Sequence, residues 1–490
     1  MVQHPHVLLA NWRKFGLFML LAFFIWQLGA PQARATTWDI CQAGGCDFSD
    51  IQTAVNDPQV KNNDILTFPN NRETYAPFTI TNKTLTIQGN NTEIDATGMG
   101  VPAVTINNTG GETVTISNFS IRGGSSSNGA GILLNNGNLV LSSSSVNNNN
   151  ASANGGALYV ASSGSVVTLS NVTMQLNIAG ANGGAIYNNG TINAQGLTLA
   201  DNAATDGAGL YNNATATLEA LSTIQRNEAS DDGGGIFNTL NGNLTLNNDD
   251  VSTNLAVNGA AVFNEGILNT NGTDFGSGNV ASQTGGGLYN SGTATLVNSA
   301  VVQNEGATGA GIYNSGTLTA TNSTLSRNDG ANGAGLYNNG GTATLNNVTI
   351  HLTIGTSLFA NNGTVTVGNS ILSSVSGQVT CGKSGSGALQ SNGYNLAKDQ
   401  SCTFLTAAGD LQGLDPGLIG INSPAGGAAY HAPKLTSPVI DAGNPAEIGS
   451  NSTACLAADQ RGLARPQSNR CDIGAVEIVV YRQFVSIVLK

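Results

Sequence analysis

"GAGIYNSGTLTATNSTLSRNDGANGAGLYNNGGTATLNNVTI", residues 309–350, states one phrase twice: the Gly-Ile-Tyr-Asn of 311–314 returns as the Gly-Leu-Tyr-Asn of 335–338. The aromatic of that phrase recurs at Tyr159, Tyr187, Tyr211, Phe237, Phe263, Tyr289, Tyr313, Tyr337 and Phe359, at intervals of 22 to 28 residues, and Leu133 adds one earlier rung. A fixed period in this range marks a solenoid. A second series keeps the same beat: Asn149, Asn177, Asn202, Asn227, Asn254, Asn279, Asn304 and Asn328. Each unit holds three short alternating runs, such as "GIYN", "TLTAT" and "STLSRN" within 311–328, separated by Asn-Gly, Ser-Gly or glycine-rich turns. Runs so short read as strands, and Gly and Asn between them supply the positive φ that tight turns need. The pattern predicts an all-β fold: a single-stranded right-handed parallel β-helix of about 24–28 residues and three strands per coil, its rungs stacked about 4.8 Å apart.

Alternation assigns the faces. In "TATL" (293–296) Ala294 and Leu296 suit the interior, so Thr293 and Thr295 face out. In the opening phrase the aliphatic position goes inside, which turns Tyr313 outward and Asn314 inward at the corner. Asn188, Asn212, Asn238, Asn264, Asn290, Asn314 and Asn338 are then expected to form an internal ladder, each amide bonding the next rung. The other asparagine series obeys the same logic.

The chain has 490 residues, 9% charged, 64 of them glycine, and a formal charge of −12. No lysine lies between Lys83 and Lys383, so a nucleic-acid partner is not expected. Arg13 and Lys14 precede the apolar run "FGLFMLLAFFIWQLGA" (15–30) and a small-x-small site at Ala33-Arg34-Ala35. That is the pattern of a secretory signal peptide, residues 1–35; no second apolar stretch is long enough to span a bilayer, so no transmembrane segment is expected after cleavage. In an exported chain six cysteines imply disulfides. Six allow fifteen connectivities; pairing within local segments gives Cys41/Cys46, Cys381/Cys402 and Cys455/Cys471. The expected divisions are a leader (1–35), an N-terminal cap and first coil (36–100), the repeats (101–375) and a C-terminal cap (376–490).

Several phrases resemble known families. "GGAI" (183–186), with "MQLN" (174–177), "LADN" (199–202), "IQRN" (224–227) and "LSRN" (325–328), resembles the polymorphic outer-membrane protein repeat, although aliphatics replace the Phe of that family's Phe-x-x-Asn and its C-terminal β-barrel has no counterpart here. "CDFSDIQTAV" followed by "TLTIQGNNTEIDATG" (84–98) is similar to the start of pectin-lyase-like β-helices, which implies a short capping helix with Ile51, Ala54 and Val55 as its apolar stripe. "SPVIDAG" (437–443) and "DQRGLARPQSNRCDIGAVE" (459–477) resemble the choice-of-anchor Q domain of bacterial surface proteins. From the residues alone this part reads as a terminal cap, since a solenoid must cover its open end.

The chain is sparing with chemistry. Gly377 to Ser384 satisfies a P-loop pattern, but no helix-forming sequence follows and Cys381 is assigned to a disulfide. His351 and His431 form no metal-binding spacing. Glu305 and Asp329 follow laddered asparagines on adjacent rungs near Arg327, and Asp206, Asp231 and Asp232 precede glycines on two others, where calcium is weighed. In each case a solvated turn is the favoured reading. No catalytic residue, metal ligand or cofactor is assigned. Two outward stripes are the candidate ligand contacts: the aromatics Tyr187, Tyr211, Tyr289, Tyr313 and Tyr337, and the threonines Thr293, Thr295, Thr317, Thr319, Thr342 and Thr344. The expectation is a secreted or cell-surface, non-catalytic β-helix that is adhesive or glycan-contacting; a polysaccharide lyase or glycoside hydrolase of the pectin-lyase-like fold, and a purely structural envelope protein, are the alternatives.

Overall fold

The computed structural model describes residues 35–479 except 220, 425 and 452; the expected leader lies outside them save for Ala35, as do residues 480–490. The chain winds into a parallel β-solenoid of right-handed type with about 14 turns. One sheet collects thirteen strands, one per rung, from Phe78–Thr81 to Cys381–Ser384. It carries the aromatic phrase: Ile312–Asn314 lies between Leu288–Asn290 and Leu336–Asn339, in parallel register Tyr289↔Tyr313↔Tyr337. A larger sheet takes the other two runs of each rung, such as Thr317–Thr321 and Thr324–Ser326. A fourth short strand was not read from the sequence. Eight rungs, from Ser125–Asn128 to Glu305–Thr308, pair there in a sheet of their own.

The faces follow alternation. Ile312, Leu336 and Ala343 are fully buried, as are Leu288 and Leu296; Thr293, Thr317 and Thr342 are exposed, with Thr295, Thr319 and Thr344 half-buried beside them. Both asparagine ladders are present. Asn264 donates through Nδ2 to Asn290 Oδ1 at 2.7 Å, Asn290 to Asn314 at 2.7 Å, and Asn314 to Asn338 at 2.6 Å. In the second ladder both the backbone N–H and Nδ2 of Asn304 donate to Asn328 Oδ1, at 3.0 and 3.1 Å. The first glycine of each phrase, from Gly129 to Gly333, has φ between 58° and 69°. At Gly309 a Cβ would stand 2.8 Å from the Ile312 carbonyl oxygen, so this corner admits no side chain.

All three expected disulfides form, each in a different setting. Cys41–Cys46 closes a short loop just before the N-terminal helix, with Cα atoms 5.7 Å apart; Cys41 is buried and Cys46 is half-buried at the surface. Cys381–Cys402, 5.0 Å between Cα atoms, fastens the chain after the last rung back onto it, and both its residues belong to the solenoid core. Cys455–Cys471, 6.4 Å between Cα atoms, is buried at both ends. It departs from the expectation in its place: Cys455 and Cys471 lie in a segment packed along the flank of the solenoid, not in a plug over its open end.

The two ends are closed differently. Helix Ile51–Asn56 buries Ile51, Ala54 and Val55 as expected, with Asp50 as its N-cap accepting from the Thr53 N–H. Lys83 Nζ donates to the carbonyls of Val55, Asp57 and Val60 beyond its other end. At the far end Cys402 and Leu405 join the core under the last rung. The chain then does more than cap. Residues 417–477 run back as a strap along the flank. Ala428 and Ala429 pack on Ala300 and Val302, while Val439 and Ile473 pack on Ile371 and Leu396. Turn asparagines reach across to it: Asn322 Nδ2 donates to the Ala458 carbonyl at 2.7 Å and Asn369 Nδ2 to that of Thr453 at 2.8 Å. The physical reason lies in the outward column of the third run, which changes from Thr173/Gln175 and Thr223/Gln225 to Ala300/Val302 and Ile371; an apolar column needs cover.

The charged residues of 459–477 tie this strap together. Arg465 and Glu477 form a fully buried ion pair at 3.1 Å, and Arg465 also donates to the carbonyls of Asp472 and Gly474. Asp459 accepts from Arg461 and from the Leu463 and Glu477 N–H groups. Burial, then Glu477, pushes Asp472 up to about 7.

Solenoid stability is a sum of neighbour terms, so each ladder position is testable locally. Ile312→Ala opens a cavity and is expected to cost roughly 2–5 kcal/mol. Asn264→Ala takes the donor from the buried Asn290 Oδ1 and one of three acceptors from the Asn238 amide, at about 1–3 kcal/mol. Tyr313→Ala, on the outer face, is expected to cost less than either. Amide exchange over 285–340 reads the order; Tyr313→Ala as the most damaging of the three would reverse the face assignment.

Candidate functional site

The nine aromatics form one continuous outer column. Eight successive ring pairs, from Tyr159–Tyr187 to Tyr337–Phe359, stack with centroids 4.4–5.6 Å apart and planes within 22° of parallel. Each interior ring therefore spends both faces on its neighbours, leaving edges and tyrosine hydroxyls toward solvent. A sugar laid flat on a ring face, the geometry the sequence invites, has no free face within this column; contact has to come through hydroxyls and edges. Burial in the stack raises the hydroxyls of Tyr187 and Tyr289 and takes Tyr211 up to about 12, so they remain donors at physiological pH. The Thr-x-Thr rows continue in register, Thr293↔Thr317↔Thr342 and Thr295↔Thr319↔Thr344.

Other sequence candidates resolve into structure. Glu305 and Asp329 are bridge partners as the spacing implied, but both are exposed. Asp206 and Asp232 enter a third ladder: the Asp232 N–H donates to Asp206 Oδ1 at 3.1 Å, Asn258 Nδ2 to Asp232 Oδ1 at 2.9 Å, and Thr284 Oγ1 to Asn258 Oδ1 at 2.6 Å. Burial above all pushes Asp232 up to about 6. Asp231 stays exposed. Among the described residues no three His, Cys, Asp or Glu side chains converge in a metal-holding group. The P-loop pattern ends on a strand, Cys381–Ser384, with Cys381 in its disulfide. With Cys41, Cys46, Cys402, Cys455 and Cys471 paired as well, every cysteine is spent on a crosslink and no thiol is left for nucleophilic chemistry. Arg122 is held by Glu93 and Asp95, and Arg226 by Asp201.

Two clusters escaped the sequence reading, because each unites residues far apart in the chain. His351 and His431 meet edge to face, 4.8 Å between centroids, where the strap crosses the rungs. His431 Nε2 lies 2.9 Å from Ser326 Oγ, and its Nδ1 lies 2.8 Å from the Ile419 carbonyl oxygen. That carbonyl only accepts, so Nδ1 carries the proton and Nε2 accepts from Ser326. Burial, with His431 beside it, takes His351 down to about 3; burial lowers His431 too. The second cluster lines a cleft of about 320 Å³ between the rungs and the strap hairpin in which Asn422 pairs with Tyr430. Asp250 and Asp274 are register partners on adjacent rungs there. Asp249 is spoken for, accepting from the Ser222 and Asn247 N–H groups. A neighbouring groove of about 400 Å³ is lined by Asn271, Asn298, Tyr430 and Arg461, with the Arg461 guanidinium 5.2 Å over the Tyr430 ring. The signal for the acidic cluster was in the outward column, where Asp250 and Asp274 interrupt a series of threonines.

No family model matches the chain, and neither a curated protein nor a solved structure is significantly similar to it.

The histidine pair predicts acid lability of the strap. Docked, both rings stay neutral below the usual histidine range; released, they take protons near pH 6.5. The docked strap is therefore fully supported above about pH 6.5 and loses that support as pH falls toward about 3. Amide protection over 417–477 is expected to decline across this window, with a shallower slope in His351→Phe. An unchanged slope in the variant would remove the histidine from the explanation.

Proposed function

We propose that this protein is an exported, surface-held rod that contacts glycans without cleaving them. The observation that carries this reading is the outer face itself: tyrosine hydroxyls, threonine hydroxyls and ring edges repeat in register over successive rungs, on a repeat region with no lysine between Lys83 and Lys383. A long, nearly uncharged lattice of hydroxyls matches a polymer that repeats its own hydroxyls better than it matches an ionic partner. Three disulfides, and the lack among the described residues of a helix long and apolar enough to cross a membrane, fit an oxidising, extracellular setting. The resemblance of the "GGAI" phrase and of 459–477 to bacterial surface-protein families supports the same placement.

The test pairs a glycan array with a reducing-end assay on residues 36–490. Retention of a polysaccharide without new reducing ends is expected, weakened about fivefold or more in Tyr289→Ala and Tyr313→Ala, which corresponds to about 1 kcal/mol. New reducing ends would move the protein to the hydrolase or lyase class. Binding untouched by either substitution would take the aromatic column out of the reading.

A further inference from the structure

We propose that the cleft beneath the strap hairpin is a binding site for a hard divalent cation of the calcium class, held by Asp250 and Asp274, and that its occupancy fastens the strap to the rungs. Asp250 and Asp274 occupy the same outward position on successive parallel strands, so their carboxylates rise side by side from one column. The flanking rungs carry Thr223 and Ala300 at this position; the paired charge occurs only where the hairpin tip crosses. Asp274 Oδ1 is buried against the cleft and meets no hydrogen-bond donor. A buried carboxylate oxygen without a donor is costly and calls for a counter-charge.

The lining supplies none. No Lys, Arg or His borders this cleft; beside Asp249, whose carboxylate already accepts from the Ser222 and Asn247 N–H groups, its further polar side chains are the neutral Ser222, Thr223, Asn248, Ser277 and Ser423. Ser423 comes from the strap and the others from the rungs, so a cation seated here ties one to the other. With neither His nor Cys present, the donors suit an oxygen-seeking ion that completes its shell with water, rather than a transition metal. Two carboxylates place the affinity in the weak range of extracellular modules, about 10⁻⁴–10⁻³ M, which agrees with the lack of any three-residue acidic, His or Cys group among the described residues. The other acidic groupings lack a buried orphaned oxygen: Glu305 and Asp329 are both exposed, whereas here a half-buried Asp274 stands beside an exposed Asp250, and Asp206 and Asp232 are already bonded within their ladder.

The experiment uses residues 36–490 stripped with EDTA and titrated with calcium chloride at pH 7.5, read by calorimetry, by thermal melting and by amide exchange over 421–430. One saturable event is expected, with a dissociation constant of about 10⁻⁴–10⁻³ M, a rise in melting temperature and added protection of the hairpin. Asp274→Asn is expected to stay folded and lose all three responses. Asp250→Asn is expected to weaken them at least tenfold, and serves alone should the first variant fail to fold. Glu305→Gln is expected to respond like the parent. No saturable heat, or a calcium response retained in the Asp274 or Asp250 variant, would each overturn the proposal.

Discussion

An asparagine amide in a protein interior needs a partner for every donor it carries, and in this chain the partner is another copy of itself one rung away. That constraint sets the rest. An amide on rung n finds its side-chain partner in the asparagine at the same height and corner of rung n+1, as with Asn290 and Asn314, and shares its donors with carbonyls of the adjoining turns; Asn338, which ends the ladder, uses the carbonyls of Gly341 and Thr364. A register slip of one residue along a strand would strand a run of buried amides and turn Leu288, Ile312 and Leu336 to solvent at the same time. The ladders therefore specify the coil, while the aliphatic column supplies most of the driving force. The glycine before each aromatic phrase belongs to the same logic, since its left-handed backbone brings the chain back onto the next rung at the height the ladder needs.

What repetition fixes was legible, because a periodic sequence displays the same decision many times. Strand identity, the inward turn of Asn314, the outward turn of Tyr313 and the inner column of Ala294 and Leu296 could each be checked against neighbouring units. The disulfides Cys41–Cys46, Cys381–Cys402 and Cys455–Cys471 were legible through proximity in sequence, which says who pairs but not where the pair sits. The strap that Cys455–Cys471 staples was not legible. Its contacts join positions far apart in the chain, by more than a hundred residues for Thr324 with Gln460 and Asn347 with Gly474, and no period links a repeat to a unique segment. Its trace lay in the change of one column from threonine and glutamine to Ala300, Val302 and Ile371, a departure visible only after the column has been defined. The fourth short strand was missed because it carries no alternating aliphatic pattern: Ser125–Asn128 and Glu305–Thr308 have no large apolar residue to mark a face, and Ile178–Ala179 is only two residues long.

The aromatic column shows how one residue type can serve two ends that compete. Stacking along the axis stabilises the outer face, since each ring pair adds to the burial of its area. The same stacking takes up the ring faces that carbohydrate recognition ordinarily uses. On the function proposed above, a glycan would meet the column from the side, through hydroxyls whose spacing the backbone sets. Recognition of that kind favours length over depth: each rung contributes little, and the sum grows with the number of rungs engaged.

In a solenoid whose rungs are nearly interchangeable, information about function concentrates in the exceptions. Most outward positions of the third run carry threonine, glutamine or serine and ask nothing of their surroundings. Three departures from that background lie next to one another in space: Asp250 and Asp274 at the hairpin tip, Ala300 and Val302 beneath the hairpin, and His351 under the middle of the strap. Each departure makes sense only with the strap in place. The alanine and valine would be exposed apolar surface without it, the histidine would have no partner ring, and the aspartates would be an ordinary solvated pair. The rungs and the strap are thus written for each other. The strap is held by apolar packing along its length and by hydrogen bonds from the rungs, with neutral histidine at its middle. Acid charges the histidines and removes their support as pH falls from about 6.5 toward about 3, while the amide ladders beneath them do not titrate.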